Sequence, residues 1–188
     1  PLTAQIVLES YNESESEISL SLKLSDVELL SIDGKSGFWD ESKPGQFALP
    51  SKSIIVGIPF SDNYAISHKI LKEHKKEIQL GVNPEVNSKN NTQLEYNYRP
   101  RNIDRPRSKQ IVEVNGYFWQ DEVYCISIEI NQYNYDDVKN NISIIDEIEL
   151  KIEFNKYLNL SKSNYESINQ NIFKSLINGE YSAKYWGK

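Results

Sequence analysis

One stretch near the middle of the chain restricts its fold more than any other. From Gln110 to Phe154 the sequence reads QIVEVNGYFWQDEVYCISIEINQYNYDDVKNNISIIDEIELKIEF: strand, aromatic corner, strand, asparagine-rich turn, strand. Apolar and polar residues alternate through Val123 to Ile130 and again through Ile142 to Phe154. A period of two arises when one face of a strand meets a core and the other meets water. The implied fold class is all-β, an antiparallel β-sandwich, and the stretch carries no signature of an active site.

The rest of the chain fits around that frame. Ile18, Leu20, Leu22 and Leu24 point one way and Ser19, Ser21, Lys23 and Ser25 the other, a half-buried strand, with a second expected through Val27 and Leu29. GKSGFWDESKPGQFALP follows, a loop punctuated by Gly34, Gly37, Pro44, Gly45 and Pro50. Its aromatic residues Phe38, Trp39 and Phe47 need a place to pack, which predicts a loop folded over a sandwich edge. Ser53 to Ile58 reads as a strand. Ala65 to Leu80 suits one helix or two short strands about a charged bend, and periodicity does not separate them. Asn83 to Asn91 is polar and contains a proline, hence a predicted loop. Past Phe154 the apolar spacing changes to three and four, at Tyr165, Ile168, Ile172, Phe173, Leu176 and Ile177, which predicts a short C-terminal α-helix ended by Asn178-Gly179. Glu180 to Lys188 reads as a linker. The expected division is a sandwich over 1–160 and a helix with linker over 161–188.

Composition bounds the function. A chain of 188 residues makes one domain with at most a small appendage and can bury roughly 70% of its extended surface. A net charge of −6 argues against nucleic acid, whose binding needs a basic surface to displace counterions. One cysteine allows no internal disulfide, and no apolar run approaches the length of a membrane span. The chain starts at Pro1 and has no methionine, as expected of a processed or excised fragment.

Candidate chemical residues favour structure over catalysis. Cys125 lies inside an alternating strand with no glycine-rich turn beside it, so a role as nucleophile with His68 or His74 is disfavoured. The two histidines, six apart, share a strand face but have no Cys or carboxylate pattern nearby, and no metal or cofactor is expected. Trp39, Tyr117, Phe118, Trp119, Tyr133 and Tyr135 could form a sugar platform, although aromatic residues at strand corners more often pack over sandwich ends. Asp33, Asp40, Glu41, Asp136, Asp137, Asp146 and Glu147 are expected in or near turns.

Three segments together resemble the N-terminal propeptide domain of the gingipain-type, caspase-like cysteine peptidases. PGQFALP at Pro44 to Pro50 is similar to that family's Pro-Gly-x-Pro-x-Leu-Pro turn, with Phe47 where a proline is usual. Gly116 through Tyr124 to Ile130, then Asn131-Gln132-Tyr133-Asn134, resembles its aromatic corner, long strand and Gln-Tyr-Asn turn. Asp121-Glu122 departs from the usual Gly-Arg-type turn there. Phe173 to Trp186 is similar to the segment preceding the peptidase domain. The resemblance implies a secreted, non-catalytic pro-domain, found in the periplasm, on the cell surface or outside the cell. Its partner would be the cognate catalytic domain, which it helps to fold and holds latent, with no small-molecule substrate of its own.

YRPRNIDRPR, with Arg99, Arg101, Arg105 and Arg107, is a basic loop in an acidic protein and suits an acidic partner surface. The resemblance implies that one of these arginines enters the peptidase's specificity pocket. Arg99 and Arg105 are followed by proline, whose missing N–H makes a poor scissile bond, so either is an expected plug. Arg101 and Arg107 precede ordinary residues and are candidate processing sites, as is Lys188. The same arginines would equally suit a solvated loop paired with nearby Asp and Glu. The alternative functions are a carbohydrate-binding or adhesion module, and a sandwich domain of a non-proteolytic secretion component.

Overall fold

A computed structural model describes residues 6–32, 35–38, 47, 49–82, 85–90, 93–97, 110–121, 123–155 and 171–186. The alternating segments become the two sheets of an antiparallel sandwich. In the larger sheet, β1 (Ile6–Glu13) pairs with β2 (Glu17–Leu24), and β2 pairs with the long β12 (Asn141–Phe154). The far end of that same β12 edge takes β11 (Tyr133–Asp136), while β6 (Tyr64–Glu77) covers the opposite edge along its whole length. The smaller sheet runs β5 (Lys52–Gly57), β10 (Val123–Ile130), β9 (Val112–Gln120).

The core lies where the inward sets meet. Ile18, Leu20, Leu22 and Leu24 of β2 and Ile148, Leu150, Ile152 and Phe154 of β12 pack against Ile54, Val56, Ile126, Ile128 and Ile130 of the smaller sheet. Each such side chain withdrawn fully from water contributes about 1.5–3 kcal/mol, so the period-two pattern sets the register as well as the face.

The ambiguous Ala65–Leu80 region resolves as a strand, β6. A helix there would leave one edge of β12, with its row of backbone N–H and C=O groups, without the partner that β6 supplies. The ladder continues through the charged Glu73–Glu77, because backbone pairing does not depend on apolar side chains.

Three local expectations are corrected. Residues 25–29 form no strand; a short pair follows instead, β3 (Leu30–Ile32) with β4 (Lys35–Gly37), so the glycine-punctuated loop holds some regular structure. The polar stretch holds a hairpin, β7 (Glu85–Asn90) with β8 (Gln93–Asn97), whose only apolar residues, Val86, Leu94 and Tyr96, are too few to stand out in the sequence. The C-terminal segment is two helices, α1 (Asn171–Ser175) and α2 (Gly179–Trp186), so helix stands where a linker is expected. At their junction a Cβ on Gly179 would come within 1.7 Å of the Phe173 carbonyl oxygen, which no other residue type permits.

The helices give the smaller sheet a second covered face. Ile172 and Leu176 pack on Val123 and Cys125, with Ile55 and Phe173 alongside. Asn178, fully buried, locks them down: its Nδ2 donates to the Gly57 carbonyl at 2.8 Å and its Oδ1 accepts from the Gly57 N–H at 2.8 Å. With the Ile177 N–H donating to the Ile55 carbonyl, this amide pair substitutes for a neighbouring strand on the β5 edge. The loop aromatics fold over the sandwich as expected for Phe38 and Phe47, which lie 4.8 Å from Tyr133 and 5.0 Å from Tyr135 between ring centroids. Trp39 lies outside the described residues.

Candidate partner-binding site

Arg99, Arg101, Arg105 and Arg107 lie outside the described residues, as does Lys188; the structure describes the two strands that flank the arginine segment. It leaves β8 at Asn97 and returns to the sandwich at Gln110, where a built anchor receives it. Asn131 Nδ2 donates to the Gln110 carbonyl at 2.6 Å and to Glu113 Oε1 at 3.1 Å, and the Asn131 N–H donates to the Ile111 carbonyl at 2.8 Å.

The Asn131-Gln132-Tyr133 turn therefore has a physical task at each position. Asn131 fastens the chain at Gln110 and Ile111, just ahead of β9. Gln132, wholly buried, donates from Nε2 to the Ile145 carbonyl at 3.0 Å while its backbone carbonyl accepts from Ile145 N–H at 3.0 Å, joining the turn to the larger sheet. The Tyr133 hydroxyl accepts from the Val27 N–H at 2.6 Å, and the Tyr135 hydroxyl accepts from the Leu80 N–H at 3.0 Å. Burial pushes the Tyr133 phenol up to about 12.

Past the anchor, β9 forms one edge of the smaller sheet, with no strand paired to its outer side among the described residues. Tyr117 and Trp119 are 40% and 46% exposed and belong to a ring cluster with Phe60, Tyr64 and Tyr124; Tyr64 and Tyr117 stack at 5.2 Å. Phe118, one residue out of phase, pairs with Cys125 and faces the other way. Tyr133 and Tyr135 are buried, so the six aromatic residues considered as a sugar platform do not form one surface. Between β9 and β10 the register leaves a two-residue turn in which Asp121 takes φ 50°, a conformation that Asp tolerates better than most residues.

The other sequence candidates separate widely. Cys125 is 0% exposed within the α1-facing cluster, its Sγ donates to the Val123 carbonyl at 3.5 Å, and burial pushes its thiol up to about 11. Such a thiol stays protonated at neutral pH and is a poor nucleophile. Both histidines are on β6 in the other sheet. The acidic residues expected at turns divide: Asp136 does cap one, accepting from the Val138 and Lys139 N–H groups at 3.1 Å each, and those bonds hold its carboxyl below the ordinary range. Asp146 and Glu147 instead lie inside β12, and Asp146 meets His74, with Nδ1 2.9 Å from Oδ1. Sequence reading missed that encounter because 72 residues separate the partners.

Topology and site together define a class: an antiparallel sandwich backed by a C-terminal helix pair, with an aromatic edge strand. Solved structures share this fold. A chain of the complex of the RgpB pro- and mature domains from Porphyromonas gingivalis superposes with a TM-score of 0.61 at 18% identity, over 94% of this chain and 97% of that one. A chain from the work on zymogenic latency of gingipain K, from the same organism, gives 0.57 at 16% identity, over 82% and 94%. The present chain shares its fold with these two gingipain structures, in keeping with the resemblance in its motifs. No protein-family model matches the chain, and no curated protein matches it in sequence. Among the described residues, no helix is long and apolar enough to cross a membrane.

Proposed function

We propose that this chain is the pro-domain of a secreted gingipain-like cysteine peptidase, that it assists the folding of the catalytic domain, and that it keeps the zymogen latent through its arginine segment. The observation that carries the reading is the end-to-end match, 94% of this chain on 97% of a chain in a pro-domain complex with its mature peptidase. The anchor at Gln110 and Asn131 supports it, because a segment inserted into a cleft loses less freedom on binding when its foot is already fixed. Arg99 or Arg105 is the plug, each shielded by the proline after it, and Arg101 or Arg107 is the processing point.

The test is alanine substitution at each of the four arginines, with inhibition of the cognate peptidase domain measured on a chromogenic substrate. A buried interface arginine costs about 2 kcal/mol or more when truncated, so the plug should weaken inhibition about thirty-fold. Unchanged inhibition across all four variants overturns the loop mechanism. Failure of the parent chain to inhibit at all, joined with aromatic-dependent glycan binding, overturns the pro-domain reading in favour of a carbohydrate module.

A further inference from the structure

Asp26, His74 and Asp146 are far apart in sequence and come from three different elements. Each offers one donor atom within 4.8 Å of the other two. Asp146 and Asp26 are each positioned by something other than their neighbours in the group.

Asp146 is placed by an irregularity in the ladder. Ile145 pairs with Glu73 and Glu147 with Lys72, so Asp146 has no residue opposite it and forms a bulge in β12. Bulges re-aim a side chain, and this one brings the carboxylate to His74, whose Nδ1 lies 2.9 and 3.0 Å from the two Asp146 oxygens. Asp26 is held from both sides: the Ser25 carbonyl accepts from the Lys52 ammonium, and the Val27 N–H donates to Tyr133. The Lys52 charge also acts on Asp26, although burial lowers that amine to about 8. His74 is 44% exposed at its side chain and Asp146 21%, which leaves room for water on an open side.

We propose that Asp26, His74 and Asp146 form a site for a divalent first-row transition ion, with zinc as the reference metal, and that the bound ion fastens the segment after β2 to the β6–β12 pair. The donor set is the argument. One imidazole and two carboxylates suit zinc and its neighbours, whereas calcium and magnesium favour oxygen alone. A tetrahedral ion about 2.1 Å from two ligands holds them about 3.4 Å apart, so His74 and Asp146, now in hydrogen-bond contact, need separate by only about half an ångström to admit it. Asp26 then closes the set by a small turn of an exposed side chain, and water completes the coordination.

Tag-free protein would be titrated with zinc by calorimetry and, in parallel, with cobalt(II), whose visible absorption reports its coordination number and geometry. One saturable site is expected. His74→Ala and Asp146→Asn should each weaken it at least about ten-fold and Asp26→Asn should weaken it measurably, while His68→Ala, on the same strand, leaves it unchanged. All four substitutions fall on exposed or half-buried side chains, and circular dichroism checks that each variant is folded. No saturable binding at millimolar zinc, or binding equal in the parent and His74→Ala, overturns the proposal. Calcium binding as tightly as zinc would also overturn it, because carboxylates alone would then explain the site. A chain that takes up zinc as expected yet inhibits no peptidase would sink the pro-domain reading and leave this site standing.

Discussion

The Asn178 clamp gives the sharpest check on how the sandwich and its helices are joined. Asn178→Ala removes both contacts to Gly57 in one step and leaves a buried N–H and a buried C=O without partners. Each orphaned group costs about 1–3 kcal/mol, so the loss is about 2–6 kcal/mol, a large share of the stability of a single domain. Taking about 3 kcal/mol and about 2–4 °C per kcal/mol for a chain of this length, the melting temperature falls about 6–12 °C. Asn178→Asp should be worse, since it sets an anionic oxygen against the Gly57 carbonyl in a dry site. Urea unfolding followed by circular dichroism supplies the free energy, and hydrogen exchange at the Gly57 amide shows where the structure opens. If the helices are integral to the fold, unfolding stays cooperative and its midpoint drops. A loss below about 1 kcal/mol would refute the reasoning, because an uncompensated buried peptide group cannot be that cheap.

Two further outcomes follow from buried polar groups. Cys125 should resist a thiol reagent at pH 8 while the chain is folded and react on unfolding, and rapid labelling of the native protein would contradict its placement. Its raised folded value means the native state holds the proton more tightly, so its contribution to stability is full below about 8.5, the ordinary cysteine value, and is lost as pH rises towards about 11. Tyr133→Phe leaves the Val27 N–H without its acceptor and should cost about 1–3 kcal/mol in urea unfolding; a neutral result would show that residues 25–27 do not depend on that bond.

Much of the sandwich was legible in the chain because a core-facing strand writes its own period. Ile18 to Leu24 and Ile148 to Phe154 alternate since one side of each must be dry, and no partner needs to be known to see it. The Gln-Tyr-Asn turn was likewise visible as a motif, although its tasks, an anchor at Asn131 and a bridge at Gln132, were not. Tertiary structure decided everything that depends on which backbone lies alongside which. It made Tyr64–Glu77 a strand because β12 had an edge to pair, paired the polar hairpin β7–β8 on a weak apolar signal, and turned the expected linker into a helix held by Asn178. It also brought Asp26 and Asp146 to His74, since a bulge and a pinned segment act through space while sequence spacing records only neighbours along the chain.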